Sequence, residues 1–199
     1  MPRLTRAQSQ AHTRDVLVAT ARRLFLAEGF AAVSVDRVAE ESGFSKGAVY
    51  SNFRTKDDLG LAVVDAVRAG HAADVAGAAA GAGTLAQRLA AFDAWAERTL
   101  GDEAWIALEV ELALRARHDP HLRAELAARS TAVRGLVAAL VAADADRFGV
   151  ALPMPAADAA LALVSLGVGL GVQRALDPDV PVRALTDTVR ALLGPPPSR

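Results

Sequence analysis

The stretch GFSKGAVYSNF, residues 43–53, decides the fold of this chain, because it interrupts an apolar helical sequence with glycines and hydrogen-bonding side chains. Gly43 is free to adopt the positive φ of a tight turn, and Ser45 is a good N-cap for a helix that follows it. Upstream, Ser34 can cap another short helix. Two short helices joined by a turn that contains glycine are typical of a helix-turn-helix. We therefore predict such a motif over about residues 34–53.

The second short helix of this motif has one apolar face and one polar face. At about 100° per residue, Val49 and Phe53 point to the core, whereas Gly47, Tyr50 and Ser51 point away from it. The outward face therefore consists of small and hydrogen-bonding groups.

A face of this kind suits the major groove of DNA. Glycine and alanine allow close approach, hydroxyl and amide groups can donate to base edges, and cations and helix N-termini attract phosphates. The candidate DNA-binding residues are Ser34, Lys46, Gly47, Ala48, Tyr50, Ser51, Asn52 and Lys56. Arg3, Arg6 and Arg14 can add an electrostatic arm. The alternative is that Tyr50 and Asn52 only cap and pack a surface helix.

Helical patterns flank the motif on both sides. From Thr5 to Glu28 apolar residues recur at helical spacing, and Gly29 ends this helix as a left-handed cap would. Thr55 marks the start of a fourth helix. Helices are predicted over about residues 56–77, 84–100, 103–117, 121–147, 156–176 and 181–193. No segment alternates like a strand, so the chain is predicted to be all-α, with about nine helices and a disordered tail at 195–199.

Composition and charge narrow the class of protein. The chain has 199 residues, of which 52% are hydrophobic and 23% charged, as is typical of a folded protein. It has no cysteine, which excludes disulfides, cysteine zinc sites and thiol catalysis. Residues 1–56 carry nine Lys/Arg against five Asp/Glu, whereas residues 57–199 carry thirteen against eighteen. The basic N-terminal part therefore favours a polyanion as its partner.

A longer stretch, ATARRLFLAEGFAAVSVDRVAEESGFSKGAVYSNFRTKDDL at residues 19–59, resembles the N-terminal domain of the TetR family of transcriptional regulators. The shared features are LF and GF around the end of the first helix, a serine-capped second helix, glycine and tyrosine in the third, and K-x-x-L in the fourth. The resemblance implies that the eight candidates above contact DNA. Asn52 stands where the family often has histidine, and Asp36 where some members have a basic residue. The operator sequence therefore does not follow from the resemblance.

For the whole chain, the resemblance implies a regulator and not an enzyme. It implies a DNA-binding domain over residues 11–71 and a ligand-binding and dimerisation domain over residues 72–194. The implied function is that of a homodimeric repressor, released from a palindromic DNA operator by a small, lipophilic effector, with no cofactor. Two alternatives stay open. One is a DNA-binding regulator that needs no ligand, and the other is a helical scaffold that has lost DNA binding, for which Asp36 is the hint.

The run ALALVSLGVGLGVQ, residues 160–173, is apolar on all sides and is therefore predicted to be buried all round. Gly167 and Gly171 lie on one helix face and allow another helix to approach closely. Following the resemblance, we expect that helix to come from a second copy of the chain. The predicted dimer contacts are Leu163, Leu166, Gly167, Leu170, Gly171 and Arg174. The alternative is a helix buried within one protomer. The run is shorter than the about 20 apolar residues that span a bilayer.

Large apolar side chains with a few polar neighbours mark a candidate effector site in the middle of the chain. The candidates are Phe92, Trp95, Trp105, Leu108, Glu109 and Leu112. The alternative is that these aromatic and aliphatic residues are ordinary core. Glu111 and Arg115, four residues apart, have the spacing of a surface ion pair.

Other kinds of site find little support in the sequence. His118 and His121 flank Asp119-Pro120, which breaks the helix between them, so no metal site is predicted. There is no phosphate loop or nucleophile motif. The first ten residues, MPRLTRAQSQ, are basic and polar, which is unlike a secretory signal or a membrane anchor. A cytoplasmic protein is therefore expected.

Overall fold

A computed structural model describes residues 5–80 and 82–194 of the chain. Over these ranges it has nine helices and no strand, which confirms the all-α prediction. The predicted tail at 195–199 lies outside the described residues, as does Arg3. The helices are α1 (Arg6–Glu28), α2 (Val35–Ser42), α3 (Lys46–Asn52), α4 (Lys56–Ala80), α5 (Leu85–Thr99), α6 (Glu103–Arg115), α7 (Pro120–Phe148), α8 (Ala156–Leu176) and α9 (Arg183–Leu193).

Local caps set the boundaries of the first helices. The side chains of Ser34 and Ser45 accept hydrogen bonds from the backbone N–H groups three residues later, at 3.1 and 3.2 Å. Gly43 has φ 73° and ψ 15°, the left-handed conformation expected for the turn between α2 and α3. Gly29 has φ 89° and ψ 148°, so it ends α1 with a positive φ but without the left-handed helical cap that the sequence suggested. The chain therefore leaves α1 through a turn at residues 30–32.

The helices are distributed over two compact units. Unit 1 comprises the residues up to Ala69 together with Ala107–Leu126, and unit 2 comprises Gly70–Ile106 together with the residues from Ala127 onward. The sequence predicted a single boundary after residue 71, whereas unit 1 consists of two segments of the chain, and the later one includes most of α6.

The core of unit 1 forms where α1, α2 and α3 pack against one another. Phe25 and Phe30 meet edge-to-face with their ring centroids 4.9 Å apart. Gly60 of α4 lies against Phe30 and Leu112, and a Cβ atom at this glycine would come within 2.7 Å of the Phe30 ring. Only glycine therefore allows α4 to lie this close to its neighbours.

In unit 2, α9 packs against α5 and α8. The buried residues of this core are Leu89, Val141, Ala145, Ala159, Leu163, Leu170, Leu185, Val189, Leu192 and Leu193. Arg88 of α5 and Asp144 of α7 form a largely buried ion pair at 2.8 Å. By length and composition alone α7 and α8 are also long and apolar enough to cross a membrane, although core helices pass the same test. Helix α8 has 21 residues and is therefore longer than the apolar run at residues 160–173, which alone is too short to span a bilayer.

Candidate nucleic-acid interface

Helix α3 has the two faces that its sequence predicts. Val49 and Phe53 are buried, with 1% and 3% of their surfaces exposed. Tyr50 is 48% exposed, and Gly47 and Ser51 are also at the surface. The core therefore holds one side of α3 and leaves the small and polar side accessible.

Gly47 leaves an open surface near the start of α3. A Cβ atom added there would meet only the Ser45 hydroxyl, at 3.8 Å. Its conformation does not require glycine, because positive φ values among the described glycines occur elsewhere. Folding thus gives no reason for a glycine at this position, whereas close approach to a partner would give one.

The donors at the end of α3 are bonded within their own helix. The Ser51 hydroxyl donates to the Ala48 carbonyl at 2.8 Å, and the Asn52 side-chain amide donates to the same carbonyl at 2.8 Å. Both side chains would have to change partner before they could donate to DNA. Tyr50 is therefore the more accessible polar group of this face.

Lys46 forms an ion pair with Asp36 of α2. Its Nζ lies 2.7 Å from the nearer carboxylate oxygen, and both side chains are exposed. The hydrogen bond with Asp36 and the negative charge of Asp36 raise the pKa of Lys46, so the lysine stays charged. Asp36 thus neutralises a predicted phosphate contact in the free protein.

Lys56 lies against the chain that connects α1 with α2. Its Nζ donates to the Ala31 carbonyl at 3.3 Å and lies 4.5 Å from the centre of the Phe30 ring. Burial, followed by the positive charge of Arg115, lowers the pKa of Lys56. A phosphate would have to draw Lys56 away from these contacts.

Arg14 of α1 supports α3 and is not part of a free arm. Its guanidinium donates to the carbonyl of Asn52 at 3.0 Å and lies 4.3 Å from the centre of the Phe53 ring. A cation at the C-terminal end of a helix is favourable for the helix dipole. Arg14 therefore helps to fix the end of α3.

Two side chains of α6 hold segments next to the predicted helix-turn-helix, and neither contact was predicted from the sequence. Glu111 accepts a hydrogen bond from the backbone N–H of Ala31 at 2.6 Å. Arg115 makes two hydrogen bonds of 2.8 Å with Asp57 at the start of α4. The predicted ion pair between Glu111 and Arg115 is therefore wrong, because each has a partner more than fifty residues away. No local sequence signal indicates such pairs.

The six candidate effector residues fall in two different units. In unit 1, Leu108 and Leu112 are buried and Glu109 forms a 2.8 Å ion pair with Arg68. In unit 2, the rings of Phe92 and Trp95 pack against each other at a tilted angle, with their centroids 5.4 Å apart, and Trp105 is buried. The structure therefore does not bring the six together within one unit.

The predicted dimer residues of α8 face the interior of unit 2. Leu163 and Leu170 belong to its buried core, and Leu166 packs against that core. Gly167 lies near Leu185, and a Cβ atom at Gly171 would lie 3.1 Å from Ile106. The close approach that the glycines allow is thus used within the protomer.

Arg174, the last of these residues, is also engaged within unit 2. Its guanidinium donates to the backbone carbonyls of Leu100 and Val180, at 3.0 and 2.6 Å. All six residues therefore have neighbours within the protomer, and their contact with a second copy stays a prediction. Because α8 is apolar on both sides, its sequence pattern did not indicate which side faces the core.

The opposite side of α8 is apolar and exposed. We call it the α8 outer stripe, and it consists of Leu161, Ser165, Val168, Val172 and Leu176. Its four large apolar residues are 38–84% exposed. No charged residue lies between Asp158 and Arg174 to keep this stripe hydrated.

Comparison with known proteins identifies the same family that the N-terminal sequence resembles. A model of the family described as "Bacterial regulatory proteins, tetR family" matches residues 17–63. The HTH-type transcriptional repressor Rv1474c of Mycobacterium tuberculosis is 32% identical over 149 residues, which are 74% of this chain and 70% of that protein. The HTH-type transcriptional regulator YerO of Bacillus subtilis is 38% identical over 52 residues, which are 26% of this chain and 18% of that protein.

Solved structures share the fold over nearly the whole chain. A TetR-family transcriptional regulator from Rhodococcus sp. has a TM-score of 0.76 at 18% identity, covering 92% of this chain and 100% of its own. A transcriptional regulator from Saccharomonospora viridis, solved in complex with choline, has a TM-score of 0.66 at 18% identity, covering 90% and 94%. At these identities, the similarity concerns the fold.

Proposed function

Because the chain belongs to the TetR family of bacterial transcriptional regulators, we propose that it is a cytoplasmic repressor that binds its DNA operator as a homodimer and dissociates when a small effector binds. The observation that carries this proposal is the outward face of α3. Its apolar side is held in a core, whereas a glycine and an exposed tyrosine stand on the accessible side.

The proposed DNA contacts follow from what each group can do. Gly47 and Ala48 allow the backbone of α3 to approach the groove, Tyr50 offers a hydroxyl, and Lys46 supplies charge once it leaves Asp36. The remaining proposed DNA contacts are Ser34, Ser51, Asn52 and Lys56. Ser51, Asn52 and Lys56 take part by exchanging an internal hydrogen bond for one to DNA.

Dimerisation is proposed to occur through the α8 outer stripe. Four large apolar side chains in line along one helix are costly to leave in water, and a second copy of the same stripe can cover them. Two α3 helices in such a dimer would read half-sites about 34–36 Å apart. The operator is accordingly expected to be palindromic.

Release by a small molecule requires that the molecule bind more tightly to the form that does not fit DNA. The similar Saccharomonospora structure in complex with choline supports a ligand-responsive role. The alternative of a regulator without a ligand is kept as an outcome of the experiments. The scaffold alternative loses support because the chain belongs to a family of transcriptional regulators.

A reporter gene behind the intergenic DNA beside this gene tests the proposed repression. Expression should rise when the gene for this chain is deleted and fall when it is supplied again. Expression that falls on deletion would indicate an activator, and unchanged expression would contradict control of this promoter.

Replacing Tyr50 with phenylalanine is expected to weaken operator binding by about two- to tenfold, the loss of one hydrogen bond worth about 0.5–1.5 kcal/mol. The melting temperature should not change, since the hydroxyl belongs to an exposed side chain. Fluorescence anisotropy with labelled operator measures the affinity. An unchanged affinity would remove the Tyr50 hydroxyl from the contacts.

Replacing Asp36 with asparagine is expected to strengthen binding to non-operator DNA by about three- to tenfold at low salt, because Lys46 loses its internal partner. The slope of log K against log salt should steepen by less than about 1, since Lys46 already contributes in part. The Asp74→Asn variant makes the same charge change on an exposed residue of α4 and serves as the control. Equal behaviour of the two variants would show that Asp36 does not restrain Lys46.

A further inference from the structure

Unit 2 contains a group of four rings from three helices, which we call the aromatic cluster: His71, Phe92, Trp95 and Trp105. His71 of α4 stands edge-on to both indoles, with ring centroids 6.4 Å from Trp95 and 5.9 Å from Trp105. Phe92 and Trp95, three residues apart, lie on the same face of α5. Trp105 at the start of α6 is 8% exposed. The cluster is thus a largely apolar, aromatic environment.

Within this environment the indole nitrogen of Trp95 has no hydrogen-bond partner. Its Nε1 is buried, and no described residue supplies an acceptor. An indole N–H can only donate, and a buried donor left unpaired is destabilising. Native proteins pair nearly all such groups, so an acceptor from outside the chain is the expected explanation.

The two carboxylates of α5 are each paired with an arginine. Asp93 is paired with Arg190 at 3.0 Å, and Glu97 is paired with Arg174 at 3.3 Å. These carboxylates already have cations of their own. A cationic ligand would therefore gain little from them, and it would also leave the Trp95 donor unpaired.

We propose that the aromatic cluster binds the effector, and that the effector is a flat aromatic compound whose carbonyl or comparable oxygen accepts a hydrogen bond from Trp95 Nε1. This inference rests on the proposed ligand response and specifies its chemistry. The ring of the ligand adds to the edge-to-face packing of the cluster, and its oxygen accepts a hydrogen bond from Trp95 Nε1, for which the described residues supply no acceptor. His71 joins the candidate residues, and no sequence pattern had singled it out.

Two small compounds of similar shape test this assignment. Acetophenone carries a carbonyl oxygen, whereas ethylbenzene lacks an acceptor. The chain has only two tryptophans, and both lie in the cluster, so an NMR spectrum of the ¹⁵N-labelled protein contains one indole signal from each. The Trp95→Phe variant assigns the signals. Acetophenone should move the Trp95 signal downfield in a saturable manner and bind at least about fivefold more tightly than ethylbenzene.

The variants separate the hydrogen bond from simple packing. In Trp95→Phe, the two compounds should bind equally, whereas Trp105→Phe should keep the preference for acetophenone. Equal binding of both compounds to the unmodified protein, no movement of the Trp95 signal, or a stronger response to choline would each overturn the assignment. A bound water that already satisfies the indole N–H would give the first of these results.

Operator binding in the same samples distinguishes this inference from the proposed function. If the protein binds operator but the Trp95 signal does not respond, only the effector assignment fails. If the Trp95 signal responds but no DNA is bound, the proposed function fails and the ligand site remains.

Discussion

Replacement of Gly47 by glutamate is expected to lower operator affinity by more than about 100-fold without weakening the fold, since placing like charges together across an interface costs several kcal/mol. The carboxylate would stand between the phosphates that border the groove. It would also fill the space that glycine leaves for close approach. Because a Cβ atom at this position meets no atom closer than 3.8 Å, the free protein has room for the new side chain.

The same replacement should leave the melting temperature unchanged or raise it, because glycine within a helix is less favourable than other residues by about 0.5–1 kcal/mol. Gly70→Glu is the matched control, since it makes the same change at an exposed glycine of α4 with no atom within 4 Å of the added Cβ. Anisotropy titration and thermal unfolding of both variants give the comparison. If both lose operator binding equally, net charge alone explains the effect and α3 is not the reading helix.

Replacement of Val168 by aspartate is expected to convert the proposed dimer into a folded monomer. Val168 lies in the middle of the α8 outer stripe and is 56% exposed in the protomer. A charge there costs little in water but is strongly unfavourable between two apolar helices. Operator affinity should then fall by about 100-fold or more, because each half-site is bound without the second one attached. Sedimentation equilibrium measures the oligomeric state.

Leu114→Asp on α6 provides the control for this experiment. Leu114 is also 56% exposed, so the variant places the same charge at an equally accessible apolar residue outside the stripe. It should remain dimeric and bind operator normally. A dimer that survives Val168→Asp but not Leu114→Asp would assign the interface to α6 instead.

The sequence predicted the DNA-binding helices well because their signals are local. Ser34 and Ser45 form caps with backbone groups three residues away, and Gly43 needs only its own backbone to turn. The sides taken by Val49 and Tyr50 follow from helix geometry once the caps set the boundaries. None of these features requires knowledge of a distant residue.

Features that depend on distant partners could not be predicted in the same way. Asp57 lies in the first turn of α4, where an acidic residue favours the helix dipole, and its pairing with Arg115 becomes evident only when α6 and α4 lie side by side in unit 1. The side of α8 that faces the core was missed for a related reason. Leucine, valine and glycine occur on both sides of this helix, so periodicity alone did not distinguish the core from the exposed stripe.

Asp36 illustrates how a single contact changes an interpretation. By type and position it suggested repulsion of phosphate. Its 2.7 Å ion pair with Lys46 instead makes it part of the charge balance of the face. Spacing in the sequence did not indicate this pair, because the turn at Gly43 separates the two helices.

Selection of duplexes from random DNA by the unmodified protein, followed by titration of the enriched sequence, tests most directly whether two α3 helices read DNA. The expected duplex has two inverted half-sites centred about one helical turn apart and binds two protomers, with an affinity that falls steeply with salt. Failure to enrich any sequence, or binding of similar strength to every duplex, would contradict sequence-specific reading of DNA by this protein.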